Sequence, residues 1–151
     1  MRMRLVPMPA FAPDHARRGE VKFYDGITLS MYHRVQARRA ELLAAAHEVL
    51  EAYFDRMGQA DADSFPYLGA LTGEYYWDTN EGYSRGEDLG STDGDPAKER
   101  LWRVRVMLQA CCLGRRAGSS EPGDYCAVDV WLEFDLRTGG YECYYTGHMV
   151  I

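Results

Sequence analysis

Long hydrophobic runs are missing from this chain of 151 residues. Its longest apolar stretch covers only a few positions, whereas a helix that spans a bilayer needs roughly 18 apolar residues. The first 20 residues reach Pro7 and Pro9 before the apolar region of a signal peptide can develop. The sequence therefore predicts a cytoplasmic protein with no transmembrane helix and no membrane partner.

Positive charge is also in short supply. The chain has 17 Lys and Arg residues against 23 Asp and Glu residues, a formal net charge of −6. No stripe of lysine and arginine provides the attraction that a nucleic-acid backbone requires. We therefore do not expect nucleic acid as a partner.

Cysteine is scarce, and the common cofactor motifs are absent. The four cysteines are Cys111, Cys112, Cys126 and Cys143. Neither a CxxC nor an HxxxH spacing occurs, so no two cysteines or histidines have the local spacing with which a pair of ligands binds one zinc ion. The phosphate-binding loops GxGxxG and GxxxxGK[ST] are missing too. We expect reduced, mostly buried thiols and no metal or other cofactor.

The strongest regular pattern is that of a helix within a single domain, residues 1–151. From Ser30 to Met57, apolar residues recur every three or four positions, which places them on one helical face. Ser30 can cap the first turn, and Gly58 follows the last periodic residue. The sequence predicts one long N-terminal amphipathic helix.

Strict alternation marks three strands in the C-terminal third, at residues 101–113, 125–135 and 141–151. Turn-forming residues separate the strands, so we expect a three-stranded antiparallel meander. Together these elements predict an α+β fold in which the helix packs on a predominantly antiparallel sheet.

The alternation also assigns side chains to the two faces of the sheet. A symmetric pairing of the first two strands places Arg105 beside Glu133 and Arg103 beside Asp135 on the outer face. In the last strand, the residues expected to face inward are Tyr141, Cys143, Tyr145, Met149 and Ile151. Those expected to face outward are Glu142, Tyr144, Thr146 and His148.

Two segments lack such patterns. Residues 1–19 are rich in proline and are predicted to form an extended arm, because each proline ring restricts φ and disfavours helix in the residue before it. Residues 78–97 contain six acidic residues, one arginine and four glycines, a net charge of −5. This composition cannot fill a core, so we predict an acidic flexible loop.

Catalytic candidates are few. His148 could pair with Asp129 across the last hairpin, and the carboxylate would orient the imidazole as a general base. However, no serine lies in a GxSxG turn, and the cysteines of the sheet face the other way. Glu133 and Asp135 lie on one face of one strand, but arginines facing them would lower both pKa values rather than raise one for acid catalysis. We therefore predict no catalytic residue.

Tyrosine is abundant, with 11 residues in the chain. Its rigid ring and polar tip suit protein interfaces. Tyr83 in the acidic loop and Tyr144 in the last strand lie outside the predicted core, and Trp131 shares the outer face with Tyr144. We predict that these three side chains contact a partner.

The final hairpin, VDVWLEFDLRTGGYECYYTGHMVI, resembles the closing strands of bacterial immunity proteins, which are found beside polymorphic toxins. The likeness covers about the last 25 residues and consists of the VWLEFD strand, a D-x-x-T-G turn and a hydrophobic end. It implies a non-catalytic inhibitor that binds one cognate toxin and blocks its active site. It assigns no role to individual residues.

The acidic loop is the surface that we expect such a toxin to contact. Toxins that act on nucleic acid or nucleotides have basic clefts, and an acidic segment can enter such a cleft and accelerate association. The predicted contacts are Glu87, Asp88, Asp93 and Asp95, with Tyr83 as a packing anchor. The outer sheet face around Trp131 and Tyr144 is the second candidate surface.

Other functions are open at this point. A small α+β enzyme or small-ligand-binding domain would need a pocket between the helix and a curved sheet, with polar residues that point into it, whereas the inward set is almost wholly apolar. A subunit of a larger assembly is compatible with the same sequence. The oligomeric state does not follow from these patterns.

Neutralising the four acids of the loop together, as Glu87→Gln, Asp88→Asn, Asp93→Asn and Asp95→Asn, tests this surface. We expect a slower association with a basic partner and a flatter salt dependence, because electrostatic steering is lost. Stopped-flow binding at low and moderate salt measures both. An unchanged association rate would move the binding surface to the outer sheet face.

Overall fold

Three helices and seven strands make up the described parts of the chain in a computed structural model. The structure describes residues 1–24, 26–60, 68–85, 103–115 and 118–150, without the side chains of Gln59, Ala60 and Tyr144. The helices are α1 (Asp14–Arg17), α2 (Leu29–Gln36) and α3 (Arg39–Ala60), with a 3₁₀ turn at Leu68–Ala70. The strands are β1 (Arg4–Leu5), β2 (Val21–Phe23), β3 (Leu71–Trp77), β4 (Glu81–Arg85), β5 (Arg103–Gly114), β6 (Gly123–Asp135) and β7 (Tyr141–Val150).

All seven strands belong to one sheet. Strand β5 pairs with β6 along one edge, and β7 follows β6. The other edge of β5 pairs with β4 over its first half and with β3 over its second half. Strands β1 and β2 add parallel pairs outside β3 and β4. The predicted α+β class and mainly antiparallel sheet are confirmed, although β5, β6 and β7 are not a separate meander.

The main core lies between α2 and α3 and one face of this sheet, here called the inner face. Successive side chains of a strand point to opposite faces. The even-numbered residues of β5 from Val104 to Cys112 therefore share this face with the even-numbered residues of β6 from Cys126 to Phe134. Val35, Leu42 and Leu50 of the helices are 0–1% exposed against them.

A second, smaller core lies on the opposite face, here called the outer face. Helix α1 contributes Ala16, and the sheet contributes Tyr76, Cys111 and Leu113. Pro13 precedes α1 with φ −68° and ψ 158°, and Asp14 begins the helix. The fixed φ of proline suits the start of a helix. The negative charge of an acid in the first turn interacts favourably with the positive end of the helix dipole. The predicted extended arm, residues 1–19, therefore contains β1 and a short helix.

The predicted single helix is two helices. The Thr28 hydroxyl accepts a hydrogen bond from the amide of Met31 and caps α2, whereas we predicted Ser30 as the cap. The amide of Arg38 bonds the carbonyl of Val35, which tightens the chain and separates α2 from α3. Ala37 and Arg38 are good helix formers, so hydrophobic periodicity cannot reveal this break.

Part of the predicted acidic loop is a strand, because residues 81–85 form β4. Residues 78–80 interrupt the pairing with β5 between β3 and β4. Trp77 opposes Ala110 and Gly82 opposes Met107, so more residues separate the two pairs on this side than on β5. Here Asn80 bonds Asp78 and the amide of Glu20, which fastens the amino-terminal arm to the sheet. The rest of the loop, residues 86–97, lies outside the described residues.

A bulge in β7 changes which side chains face outward. Trp131 opposes Tyr145, but Leu132 opposes Cys143, so Tyr144 is an extra residue in β7. The parity of β7 reverses there. His148 therefore lies on the inner face and Tyr145 on the outer face, the opposite of the prediction for both. Thr146 and Met149 are reversed for the same reason.

A polar network joins the helices to β4. Arg39 forms an ion pair with both oxygens of Glu81, whose side chain is only 5% exposed. The Tyr83 hydroxyl donates to Glu81 at 2.8 Å and accepts from the Gln36 amide at 2.6 Å. A buried carboxylate needs such partners, because desolvation of an unpaired charge is costly.

Within the described ranges, no helix is both long enough and apolar enough to cross a membrane.

Arg39→Ala is expected to lower the free energy of unfolding by about 2–3 kcal/mol. The substitution leaves the Glu81 carboxylate buried and unpaired; the loss is below that of a fully buried pair because Arg39 itself is 41% exposed. Arg38→Ala is the matched control, because Arg38 pairs with the exposed Glu41 and should cost under about 1 kcal/mol. Urea unfolding of both variants measures the difference, and equal losses would contradict the role of the pair.

Candidate protein-binding surface

The outer face carries a row of large side chains across the middle of the sheet. The register aligns Gly82 of β4, Met107 of β5, Trp131 of β6 and Tyr145 of β7. A Cβ atom on Gly82 would lie 3.5 Å from both the Met107 methyl group and the Tyr24 ring. Tyr24 therefore fills the place above Gly82, and the row runs from Tyr24 to Tyr145.

This row is accessible to a partner. Tyr24 is 52% exposed and Tyr145 is 54% exposed, while Met107 and Trp131 are half-buried. The Tyr145 ring lies along β7 above Gly147, where a Cβ atom would collide with the tyrosine hydroxyl. Aromatic and methionine side chains that lie flat on a rigid sheet supply contact area at little cost in conformational entropy.

An apolar groove of about 440 Å³ lies on one side of the row. Its floor is formed by Cys111 and Ala127, which are 6% and 7% exposed. Its walls are Phe11 of the amino-terminal arm and Met149 of β7, which are 50% and 65% exposed. A groove with a buried floor and exposed apolar walls can accept a side chain from a partner. Asp124 also lines this groove.

The other side of the row is charged. Glu133 accepts hydrogen bonds from Arg105 at 2.9 Å and from Arg103 at 3.3 Å. Arg105 stands opposite Glu133 and Arg103 opposite Asp135, so the predicted register is confirmed. Asp135 bonds Arg137 instead, and this hydrogen bond holds the pKa of Asp135 below its usual range. The outer face thus has a mainly apolar groove on one side of the row and paired charges on the other.

The structure places the predicted contact residues in different environments. Trp131 lies on the outer face, as predicted, and belongs to the central row. Tyr144 lies at the bulge beside it, and its side chain is not described. Tyr83 is 0% exposed under α2, so the prediction of a surface anchor is wrong for this residue. It was misplaced because its acidic neighbours indicated a loop. The predicted acidic contacts, Glu87, Asp88, Asp93 and Asp95, lie outside the described residues.

Sequence reasoning missed most of the row. Tyr24 and Met107 come from segments distant in sequence, and Tyr145 was assigned to the inner face because the bulge at Tyr144 was not foreseen. Phe11 was part of an arm without a predicted location. One signal was available: Met107 shares the outward parity of Arg103 and Arg105.

Histidine and tyrosine pairs on the inner face are the nearest approach to catalytic machinery. His47 Nδ1 lies 2.6 Å from the Tyr75 hydroxyl, and His47 Nε2 lies 3.2 Å from Glu51. A histidine between a hydroxyl and a carboxylate has the geometry of a general base. However, Tyr75 is 1% exposed, and burial raises its pKa to about 12. The buried hydroxyl stays protonated, and the group serves to join α3 to β3.

The predicted pair of His148 with Asp129 does not form. His148 bonds the Tyr53 hydroxyl on the inner face, and burial lowers its pKa. Asp129 lies on the outer face and accepts a hydrogen bond from Gln109 at 3.0 Å. The bulge at Tyr144 separates the two side chains onto opposite faces of the sheet.

The thiol nearest the apolar groove is also a poor nucleophile. Burial raises the pKa of Cys111 to about 12. Beside it, the Tyr76 hydroxyl lies 2.8 Å and 2.9 Å from the two oxygens of Asp124, and burial together with this hydrogen bond raises its pKa. A nucleophilic cysteine requires a lowered pKa. The chemistry of these groups therefore favours binding over covalent catalysis at the groove.

Comparison of the chain with protein-family models, with curated proteins and with solved structures finds no match.

The accessibility of the thiols can be measured directly. Cys143 is exposed, whereas Cys111, Cys112 and Cys126 are buried, and all four are free. We expect an aromatic disulfide reagent at pH 8 to label one thiol per native chain and four after denaturation. Cys143→Ser should remove the native signal and leave three thiols in the denatured chain. Rapid labelling of more than one native thiol would contradict the assigned burial.

Proposed function

We propose that this chain is a non-catalytic inhibitor that binds a protein partner through the outer face of its sheet. The kind of protein that fits best is an immunity protein, which neutralises a cognate toxin in the cytoplasm by covering its active site. The partner would lie across the row Tyr24, Met107, Trp131 and Tyr145. The resemblance of the final hairpin to immunity proteins supports the same class.

The exposed apolar row is the observation that carries this proposal. Its residues come from four strands or strand ends and are held by a rigid sheet. Exposed aromatic side chains are rarely gathered into one continuous band unless they contact something. In protein interfaces, such residues dominate the binding energy when polar groups surround them. Here Arg103, Arg105 and Glu133 border one side of the band.

The acidic segment 86–97 supplies a second element of the proposal. It holds Glu87, Asp88, Asp93 and Asp95, and it follows β4, which lies next to β5 in the sheet. A negative segment in the same chain as an apolar binding surface would attract a toxin with a basic cleft and increase the association rate. In this proposal the outer face of the sheet provides the binding affinity, and the acidic residues increase the rate at which the partner associates.

The alternative function, a small α+β enzyme or ligand-binding domain, finds less support. Its pocket was expected between the helices and the sheet. That space is filled by buried side chains of Val35, Leu42, Leu50 and Phe54. The cleft at the rim, near Val35 and Leu136, is about 250 Å³. Glu81, Tyr75 and His148 of the inner face bond other side chains of the same chain.

The double variant Trp131→Ala with Tyr145→Ala tests the binding face. The partner to use is the protein encoded by the gene next to that of this chain. We expect its affinity to fall by at least about 100-fold, the loss typical of two central interface residues. The melting temperature should stay nearly unchanged, because neither side chain belongs to a core cluster. Calorimetric titration and inhibition of the partner's activity give the two readouts.

Leu29→Ala is the matched control, since Leu29 is 64% exposed at the start of α2. It should bind like the unmodified chain. Full affinity of the double variant would show that the interface lies elsewhere. A neighbouring protein that neither binds nor is inhibited would contradict the immunity function itself.

A further inference from the structure

Two thiols face each other inside the main core. Cys112 of β5 is directly opposite Cys126 of β6 in the sheet register. Both side chains lie in the inner-face cluster and are 0% exposed. The neighbouring Cys126 thiol, together with burial, raises the pKa of Cys112 above its usual range.

The backbone at this pair already has the spacing of a disulfide. Directly opposite residues of antiparallel strands have Cα atoms about 4.5 or 5.5 Å apart, depending on whether their backbones hydrogen-bond to each other. Disulfides join residues whose Cα atoms are about 4.4–6.8 Å apart. Either type of pair lies within that range, and both side chains point to the same face.

We propose that Cys112 and Cys126 are a disulfide site, which closes when the chain folds in an oxidising environment. The inference is independent of the proposed inhibitory function. It gives the chain a covalent link between β5 and β6, the two central strands, wherever thiols are not kept reduced.

The other two cysteines are placed where they cannot compete. Cys111 is adjacent to Cys112 in sequence, but it belongs to the small outer-face core, because successive strand residues point to opposite faces. Cys143 opposes Leu132, which is six residues along β6 from Cys126. At roughly 3.3 Å per residue, this separation is about 20 Å. The fold therefore selects one pair among the four cysteines.

The reaction is thiol–disulfide exchange with a low-molecular-weight disulfide such as oxidised glutathione. A thiolate of one cysteine attacks glutathione disulfide, forms a mixed disulfide and releases one glutathione. The second cysteine attacks the protein sulfur of the mixed disulfide, which forms the Cys112–Cys126 bond and releases the second glutathione. Both protein thiols are oxidised, and the glutathione disulfide is reduced to two thiols. Because the pair is buried in the folded chain, exchange takes place during folding.

The test is refolding of the full chain from denaturant in a mixture of reduced and oxidised glutathione, with dithiothreitol as the control. We expect a product that lacks two hydrogen atoms and has two free thiols after denaturation. Tryptic digestion should join the peptide of residues 106–115 to that of residues 117–137. The melting temperature should rise by about 6–12 °C, as expected for a link that closes a loop of about 15 residues.

Single variants assign the link, since Cys111 and Cys112 lie in one tryptic peptide. Cys111→Ala and Cys143→Ala should keep the link and the rise in melting temperature. Cys112→Ala and Cys126→Ala should lose both. Should either of these two fail to fold, the peptide map of Cys111→Ala still decides the pairing. A link that survives in Cys112→Ala, a link to the peptide of Cys143, or a refolded chain with four free thiols would overturn the proposal.

Discussion

The pairing of β5 with β6 along the whole length of β5 is the constraint on which the rest of the structure depends. It determines which side chains reach the inner face, and so what α2 and α3 cover. It also places Arg105 beside Glu133 and Met107 beside Trp131 on the outer face. A shift of one residue in this register would exchange the two faces. The core, the proposed binding surface and the facing thiols all follow from it.

The two faces of the sheet are used differently. On the inner face, several polar groups pair within the chain, as Glu81 does with Arg39 and Tyr75 with His47. These contacts hold the helices and the edge strands in place. On the outer face, α1 and the amino-terminal arm cover only the part beside β3. The row from Tyr24 to Tyr145 has two exposed ends and a half-buried middle, and this accessible apolar surface is the reason why we propose binding at this face.

The expectations from sequence were accurate where a pattern depends on neighbouring residues. The register that joins Arg105 to Glu133 followed from alternation in two long strands. The apolar face of α3 followed from helical spacing, and Leu42 and Leu50 are 0% exposed. The break between α2 and α3 could not be recognised in the sequence, because both connecting residues, Ala37 and Arg38, favour helix. Tyr83 was misplaced because its acidic neighbours are typical of a loop, whereas pairing with β5 makes the segment a strand.

The sequence by itself determined the α+β class, the antiparallel order of β5, β6 and β7, and the apolar faces of α3, β5 and β6. Local periodicity is enough for these features, since burial of one face selects one register. Tertiary structure alone decided the parallel pairs of β1 and β2, the bulge at Tyr144 and the position of Tyr24 above Gly82. Each of these depends on contacts between residues distant in the chain. The surface proposed for binding depends on the pairing of β2, on the bulge at Tyr144 and on the position of Tyr24. These features decide which aromatic side chains lie together on the outer face.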